Sequence, residues 1–143
     1  LFVCTGNTCR SPMAEAALRA ELKRQKIAWF TVQSAGISAK EGDSISPYAA
    51  QALKEAKIPL SAKFRSRRFT EKMAKEAFLV VCMSDTQKNL LAPFGNVTSF
   101  RELCGREIPD PYGQEQEVYN ATLNVFCACM PLIIEKYISK SGD

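Results

Sequence analysis

Residues 4–11 decide how this chain is interpreted, and they read Cys4-Thr5-Gly6-Asn7-Thr8-Cys9-Arg10-Ser11. The apolar residues 1–3 lie directly before them, and a run of strongly helix-forming residues follows. Five residues separate Cys4 from Arg10, which lets the backbone curl into a bowl with its N–H groups pointing inward. Such a bowl at a helix N-terminus binds an anion. The stretch therefore predicts a phosphate-binding loop after the first strand.

The same loop supplies reactive side chains. A helix N-terminus and a neighbouring cation both favour a cysteine thiolate, so Cys4 is a candidate nucleophile. The planar fork of Arg10 can hold two phosphoryl oxygens. Gly6 and Asn7 tolerate positive φ, and the pair Ser11-Pro12 offers an N-cap followed by a proline. A cysteine near the start of a chain is commonly just a small buried residue, but the strand–turn–helix context favours the phosphate loop.

Length and composition set the class of protein. The chain has 143 residues, 46% hydrophobic and 24% charged, which indicates one globular domain spanning residues 1–143. Its net charge of +4 is spread out, so no nucleic-acid arm is expected, and it favours anionic substrates. We expect no membrane span and no signal peptide. Because Leu1 stands only three residues before Cys4, we expect the first strand to have lost its beginning.

Cysteine and histidine content limits the chemistry. The chain has six cysteines without paired CxxC spacing and no histidine, which argues against a zinc site or a disulfide framework. We therefore expect no metal, no cofactor, and a reducing, cytoplasmic compartment. Catalysis by Ser-His-Asp or Cys-His pairs is excluded without histidine. The loop itself and Arg10 must activate Cys4.

Alternating apolar patterns predict the fold. The predicted helices are 11–26, 47–56, 70–74, 84–91 and 116–140, and the predicted strands after the first are 29–33, 77–83 and 97–100, with loops at 37–46 and 101–113. Pro131 should kink the last helix because it lacks an N–H donor. Alternation of strand and helix predicts an α/β fold with a four-stranded parallel sheet and helices on both faces. Ligands bind at the carboxyl ends of such strands, where the phosphate loop is placed.

A second catalytic group is needed if a phosphoryl group passes to a thiolate, because an acid must protonate the leaving group and a base must then activate water. The best candidate is Asp110, which lies between two prolines in residues 108–113. By itself, an Asp-Pro pair more often just begins a turn.

With both motifs in this order, the chain resembles the low-molecular-weight protein phosphatase family from end to end. The resemblance implies that Cys4 is the nucleophile, Arg10 the transition-state clamp, and Asp110 the acid and later the base. It implies a phosphorylated protein as substrate and a phosphate or other oxyanion in the loop.

The resemblance also assigns supporting residues. Phosphate binding and loop support fall to Thr5, Gly6, Asn7, Thr8, Cys9, Ser11 and Ser34. Ser11 would hold the thiolate, while Asn7 and Ser34 would fix the unusual backbone of the loop. Many members place a histidine in this support, and Phe64 stands at the matching position here. A reversible Cys4–Cys9 disulfide would protect the nucleophile from over-oxidation.

Two departures bear on the substrate. Thr8 stands where tyrosine phosphatases of the family often have a bulky aliphatic residue, and residues 37–41 lack their aromatic wall. The chain is more similar to the bacterial protein-arginine phosphatase branch, which has a carboxylate seven residues after the acid, here Glu117. Thr8 and Glu117 would then recognise a guanidinium. Alternatively, Glu117 is an ordinary first-turn helix acid, and the substrate is phosphotyrosine.

Two other functions are compatible with a phosphate-binding loop. An arsenate reductase needs a pair of relay cysteines after the third strand; Cys82 is present, but Lys88 and Asn89 occupy the place of the second. A non-catalytic phosphate-binding module would not need the thiol or the acid. The basic stretch 63–68 is either a docking site for acidic proteins or an ordinary solvated surface.

Overall fold

A computed structural model describes residues 1–138 of the protein. Its strands are β1 (Phe2–Cys4), β2 (Ser34–Gly36), β3 (Val80–Cys82) and β4 (Val97–Ser99). Its helices are α1 (Arg10–Arg24), α2 (Pro47–Glu55), α3 (Glu71–Glu76), α4 (Asp85–Leu91), α5 (Phe100–Cys104) and α6 (Gln116–Ile133). All four strands are parallel in the order β2-β1-β3-β4. The predicted α/β architecture is confirmed.

Helices cover both faces of the sheet. Alternate strand residues such as Phe2 and Val81 face the larger core, which α1, α2 and α6 complete. Phe100 stacks on Phe2 and contacts Phe126 of α6, at centroid distances of 5.9 and 5.2 Å. The opposite face carries a smaller cluster with Val3 at its centre, covered by α3 and α4. The carboxyl end of β1, which holds Cys4, is thus fixed by apolar packing on both sides.

Side-chain caps begin most of the helices. Ser46 accepts from the N–H of Ala49 at the start of α2, where Pro47 is the first helical residue. Thr70 and Ser84 cap α3 and α4 in the same way. These caps follow the predicted positions because the hydroxyl satisfies an N–H that has no partner in the helix.

Helix α1 begins one residue before its predicted start, and its N-cap is a different residue from the one expected. Ser11 was expected as the N-cap, but the helix begins at Arg10, and its N-cap, Cys9, makes no side-chain cap bond. Pro12 lies in the first turn, where a proline costs no hydrogen bond. Ser11 instead turns its hydroxyl towards Cys4. The first N–H groups of α1 therefore receive no hydrogen bond from the side chain of the N-cap residue.

Strand boundaries also differ from the predictions. Residues 29–33 are not a strand; pairing with β1 starts at Ser34, opposite Phe2. Trp29 is 56% exposed and packs edge-on against Phe30, which in turn meets Phe78. These aromatic contacts hold the segment off the sheet edge. The strand predicted at 77–83 shortens to β3, and the one at 97–100 shortens to β4.

A short helix replaces the first part of the loop predicted at 101–113. Ser99 caps α5 by accepting from the N–H of Glu102, and Gly105 ends it with φ of 81°. The serine–x–x–glutamate spacing is a known helix start, and it was overlooked because it overlaps the end of a strand. The acid-bearing loop therefore begins only after Gly105.

The last helix continues past Pro131 without ending. Its backbone then widens into a π-helix over Ile134–Ile138, directly after the turn in which the proline removes a donor. The remaining predicted residues, 139–140, lie outside the described residues. The sequence predicts no membrane span, but the helix Gln116–Ile138 has 23 residues and contains an 18-residue window with a mean hydropathy of 1.3, so by length and composition it could cross a membrane. Because α6 packs against α1 and α2, length and composition alone are weak evidence for a membrane span.

Candidate active site

The loop between β1 and α1 is held by its carbonyl groups. The Cys4 and Thr5 carbonyls accept from the N–H groups of Ile37 and Ser38, both at 2.9 Å. The Thr8 carbonyl accepts from the N–H of Ser46 at 2.8 Å. These bonds tie the backbone of the loop to the chain around it, while the N–H of Asn7 donates to Cys4 Sγ. A loop whose N–H groups converge in this way can bind an oxyanion.

Asn7 fixes the bend of the loop. It is fully buried and adopts φ of 54°, a left-handed conformation that asparagine tolerates. Its Nδ2 donates to Ser11 Oγ and Ser34 Oγ, each at 2.9 Å, and its Oδ1 accepts from the N–H of Arg67 at 2.8 Å. The Ser66 hydroxyl donates to the Asn7 carbonyl at 2.8 Å. The structure thus brings together the predicted support residues Asn7, Ser11 and Ser34.

The support extends to a buried carboxylate that sequence reasoning missed. Ser34 Oγ donates to Glu15 Oε1 at 2.7 Å, and Arg19 Nη1 lies 3.0 Å from Glu15 Oε2. Phe64, expected at the position of a supporting histidine, lies half-buried beside Glu15 and Ser34 in the wall of a cavity of about 640 Å³. A charged residue on the otherwise apolar face of α1 is the signal that could have identified Glu15.

Gly36 allows the neighbouring strand to approach the loop. A Cβ atom at this position would lie 2.7 Å from the Thr5 carbonyl oxygen and 2.8 Å from the Asn7 nitrogen. Both are backbone atoms that cannot rotate away. The shape of the bowl therefore depends on the absence of a side chain here, another feature that the sequence analysis did not assign.

The Cys4 sulfur lies at the base of this bowl. Its Sγ is 2.9 Å from Ser11 Oγ and accepts from the N–H of Asn7 at 3.3 Å. The residue is 2% exposed. The candidate nucleophile therefore lies within hydrogen-bond reach of two groups of its own loop.

Arg10 and Asp110 meet above the loop. Arg10 is 7% exposed, and its Nη1 donates to the Ile108 carbonyl at 3.0 Å. Its Nη2 lies 3.6 Å from Asp110 Oδ2. The Asp110 side chain is half-exposed, and its Oδ1 accepts from the N–H of Tyr112 at 3.1 Å. One guanidinium therefore contacts the segment that carries the candidate acid.

The predicted specificity residues Thr8 and Glu117 are both accessible to solvent. Thr8 is partly exposed, and Glu117 is exposed in the first turn of α6. Within residues 1–138 the Glu117 carboxylate has no hydrogen-bond or ion-pair partner, so the structure does not join it to Thr8. An aromatic side chain does stand nearby: Tyr48, 50% exposed, has its carbonyl bound by Gln116 Nε2 at 2.9 Å. The sequence pattern places the aromatic wall of tyrosine phosphatases in residues 37–41 and gives no signal for Tyr48.

The Cys9 thiol contacts hydroxyl groups on three sides, the first of them Thr8 Oγ1 at 3.8 Å. Its Sγ lies 3.4 Å from Ser46 Oγ and 3.7 Å from the Tyr119 hydroxyl. Burial, with the contact to Cys9, raises the pKa of Tyr119 to about 12, so this hydroxyl stays protonated. Cys4 and Cys9 are both free thiols. Their proposed pairing under oxidation stays a prediction.

The segment after β3 is where an arsenate reductase would carry its relay cysteines. Cys82 is fully buried, and burial raises the pKa of its thiol to about 12. Lys88 pairs with Glu102, and Gln87 reaches the Thr5 hydroxyl at 3.4 Å. These contacts are structural, and a buried neutral thiol is a poor relay. Among residues 1–138, no three His, Cys, Asp or Glu side chains come together as a metal site.

Comparisons with known proteins agree with this geometry. The family model for low molecular weight phosphotyrosine protein phosphatase matches residues 1–138. A protein-arginine-phosphatase of Bacillus subtilis is 36% identical over 130 residues, covering 85% of each chain. The low molecular weight protein-tyrosine-phosphatase Ptp of Acinetobacter johnsonii is 33% identical over 135 residues, covering 91% of each.

A solved structure extends the comparison. A cysteine-to-serine mutant of YwlE arginine phosphatase, with a phosphorylated active-site serine, superposes with a TM-score of 0.86 at 30% identity and covers 96% of both chains. Both the sequence match and the shared fold run through the phosphate loop and the acid loop. The chain belongs to the low molecular weight protein-tyrosine-phosphatase family.

Proposed function

We propose that this protein is a cysteine-dependent phosphatase of phosphorylated proteins that acts through a cysteinyl-phosphate intermediate and prefers phosphoarginine. The observation that carries the chemistry is the position of Cys4 Sγ, within hydrogen-bond reach of Ser11 and Asn7 at the base of the anion bowl. The acid loop contacts the same bowl through Arg10.

In the first step, the Cys4 thiolate attacks phosphorus. The bond from phosphorus to the substrate nitrogen breaks, and Asp110 donates its proton to that nitrogen as its electron pair is released. Arg10 and the inward N–H groups of the loop neutralise the charge on the equatorial phosphoryl oxygens. These N–H groups come from Thr5, Gly6, Asn7, Thr8 and Cys9.

In the second step, water attacks the phosphorus of the intermediate. Asp110, now ionised, accepts the water proton, the sulfur–phosphorus bond breaks, and the thiolate leaves with its electron pair. Ser11 stabilises this thiolate by its hydroxyl. Ser34 keeps Asn7, and through it the bowl, in place.

The proposed preference for phosphoarginine rests on two residues, Glu117 and Thr8. A guanidinium needs a carboxylate partner, and Glu117 offers one that no other described residue uses. Thr8 presents a hydroxyl rather than a bulky apolar wall. Relatives that carry the protein-arginine-phosphatase name are 36% and 34% identical to this chain. We place the enzyme in the cytoplasm, where its free thiols persist.

Phosphotyrosine is the second candidate substrate. The exposed ring of Tyr48 and that of Tyr112, which is 78% exposed, could flank a phenyl group. Tyr112 lies two residues from the candidate acid. An aromatic wall of this kind favours a flat phenol ester over a guanidinium.

Steady-state kinetics on matched peptides test the proposal. We expect kcat/KM to be higher for a phosphoarginine peptide than for a phosphotyrosine peptide of the same sequence. A higher kcat/KM for the phosphotyrosine peptide would support the phosphatase activity but identify phosphotyrosine as the substrate. Turnover of neither peptide, with arsenate reduced at the expense of thiol, would favour the redox alternative. Tight phosphate binding without any turnover would indicate a binding module.

A further inference from the structure

The basic stretch 63–68 borders a cavity beside the residues that support the phosphate loop. This basic cavity has a volume of about 640 Å³ and is also lined by residues of α1 and by residues 31–34. Ser66 turns its hydroxyl to the Asn7 carbonyl, so it faces the loop rather than the cavity. Since side chains of an extended segment alternate between two faces, the residues on either side of Ser66 face the other way. Three cations of the stretch therefore line the cavity: Lys63, Arg65 and Arg67.

The basic cavity has a strong excess of positive charge. Arg19 of α1 adds a fourth cation, and Glu15 is the only acid among the described residues that line it. The Glu15 carboxylate is buried and already bound by Ser34 and Arg19. Within residues 1–138, Lys63 and Arg65 take part in no ion pair. Four cations thus surround one neutralised acid in a chain whose net charge is only +4, and such a cleft attracts anions.

Apolar side chains form the rest of the cavity wall. Leu60 and Phe64 are half-buried there, and Val32 is buried, whereas Lys63 and Arg65 are exposed to solvent. The cavity is much larger than a single phosphate ion, and it offers only one aromatic ring, whereas single-stranded nucleic acids stack successive bases on several. An acidic peptide segment supplies carboxylates for the cations and apolar side chains for the wall. Charge and surface together therefore favour a peptide.

We propose that the basic cavity is a docking site for an acidic segment of the phosphoprotein substrate, an inference that rests on the proposed function because it takes the substrate to be a protein. Carboxylates of the segment pair with Lys63 and Arg65, and an apolar side chain lies against Phe64. Arg67 lines the cavity and its N–H also donates to Asn7 Oδ1 at 2.8 Å, so the cavity borders the support of the phosphate loop. A protein substrate can contact both places, while a small phosphate ester occupies only the loop.

Steady-state kinetics on two phosphopeptides test the docking site. Both peptides carry the same phosphorylated residue and neighbours, and one of them also has a block of Asp and Glu attached by a flexible linker. In Lys63→Gln/Arg65→Gln, we expect KM for the acidic peptide to rise roughly 2- to 30-fold, the range for losing two exposed ion pairs. Its kcat should not change, because the docking contacts are the same in the ground state and the transition state.

Two controls accompany this measurement. The peptide without the acidic block and a small aryl phosphate should keep their KM values in Lys63→Gln/Arg65→Gln. The variant Lys54→Gln/Arg68→Gln removes the same charge from exposed residues that do not line the cavity, and it should leave KM for the acidic peptide unchanged. An equal rise of KM in both variants would show a general charge effect and overturn the docking site.

Binding of the unphosphorylated acidic peptide separates this inference from the proposed function, because binding requires no turnover. By fluorescence anisotropy, the peptide should bind the unsubstituted protein and the control variant alike, and Lys63→Gln/Arg65→Gln more weakly. Excess peptide should not inhibit hydrolysis of the aryl phosphate. Competitive inhibition, or tighter binding of an oligonucleotide of equal charge, would overturn the proposal. If the peptide binds as expected but no phosphopeptide is hydrolysed, the acidic docking site is supported and the proposed function is wrong.

Discussion

The Arg10 Nη2 atom lies 3.6 Å from Asp110 Oδ2, while Nη1 of the same guanidinium donates to the Ile108 carbonyl. Arg10 is the first residue of α1 and part of the phosphate loop, whereas Asp110 lies in the loop that leads to α6. A single buried side chain thus sets the distance between the anion site and the candidate acid. Since productive geometry must hold to a fraction of an ångström, changes to either partner should reduce turnover more than they reduce stability.

Asp110→Asn tests the acid. The amide keeps an oxygen that can accept from Tyr112 but has no proton to donate, so kcat on phosphopeptides should fall by about 10²- to 10⁴-fold. Activated aryl phosphates should lose much less, because their leaving groups depart without a proton. Equal losses for both substrate types would show that Asp110 is not the leaving-group acid.

Cys4→Ser separates binding from chemistry. The bowl depends on backbone contacts and on Asn7, so the variant should bind inorganic phosphate by calorimetric titration while its turnover falls below detection. Arg10→Lys should lose both properties, since a point charge cannot replace the bidentate fork. Near-normal turnover by the serine variant would exclude covalent catalysis at this residue.

Gly36→Ala tests the close approach of β2 to the loop. The added Cβ would force the Thr5 carbonyl and the Asn7 nitrogen to move, and we expect kcat/KM to fall by roughly 10²-fold. Gly42→Ala is the matched control, because open space surrounds that position and only its positive φ adds strain. If both variants lose stability and activity to the same extent, Gly36 is needed for the backbone conformation in general and not for the shape of the loop.

Glu15→Gln tests the buried support. Glu15 accepts from Ser34 and pairs with Arg19, so we expect a loss of about 1.5–3 kcal/mol in the free energy of unfolding, the range for hydrogen bonds to charged groups. Glu21→Gln on the same helix is the control; its partner Arg24 is exposed, and surface pairs contribute little. Urea denaturation measures both. A similar loss in the two variants would remove the special role of Glu15.

The sequence predicts those site residues that lie close together along the chain, and it misses those that only the tertiary fold brings together. Cys4, Asn7 and Arg10 lie within seven residues, so their spacing alone predicts a phosphate loop. Ser66 and Gly36 join that loop only through the tertiary fold, and nothing in their local sequence marks them. Glu15 is marked only by its charge on an apolar helix face, which does not indicate its partner Ser34.

The same reasoning explains the errors in the fold. Helix starts at Ser46, Thr70 and Ser84 were predicted because a cap is a local interaction. The start of β2 was misplaced because Phe30, which packs against its neighbour Trp29, also packs against Phe78 from a distant part of the sequence, and residues 29–33 stay out of the sheet. Burial and strand pairing decide such edges, and a single sequence does not contain them.

Thr8→Ile and Glu117→Gln test the substrate preference. If these side chains receive a guanidinium, Glu117→Gln should lower kcat/KM on a phosphoarginine peptide by roughly 10- to 150-fold, the loss expected for a charge-assisted hydrogen bond. Thr8→Ile should also lower it, because methylene groups replace the hydroxyl, and should favour flat aromatic esters. Phosphotyrosine turnover should hold or rise in both variants, since neither changes the loop backbone.

Glu115→Gln, which neutralises an exposed carboxylate at the start of the same helix, is the control for general charge effects and should leave the ratio of the two activities unchanged. An equal fall in both activities would mean that Thr8 and Glu117 serve the fold, and Tyr48 with Tyr112 would then mark a phosphotyrosine site.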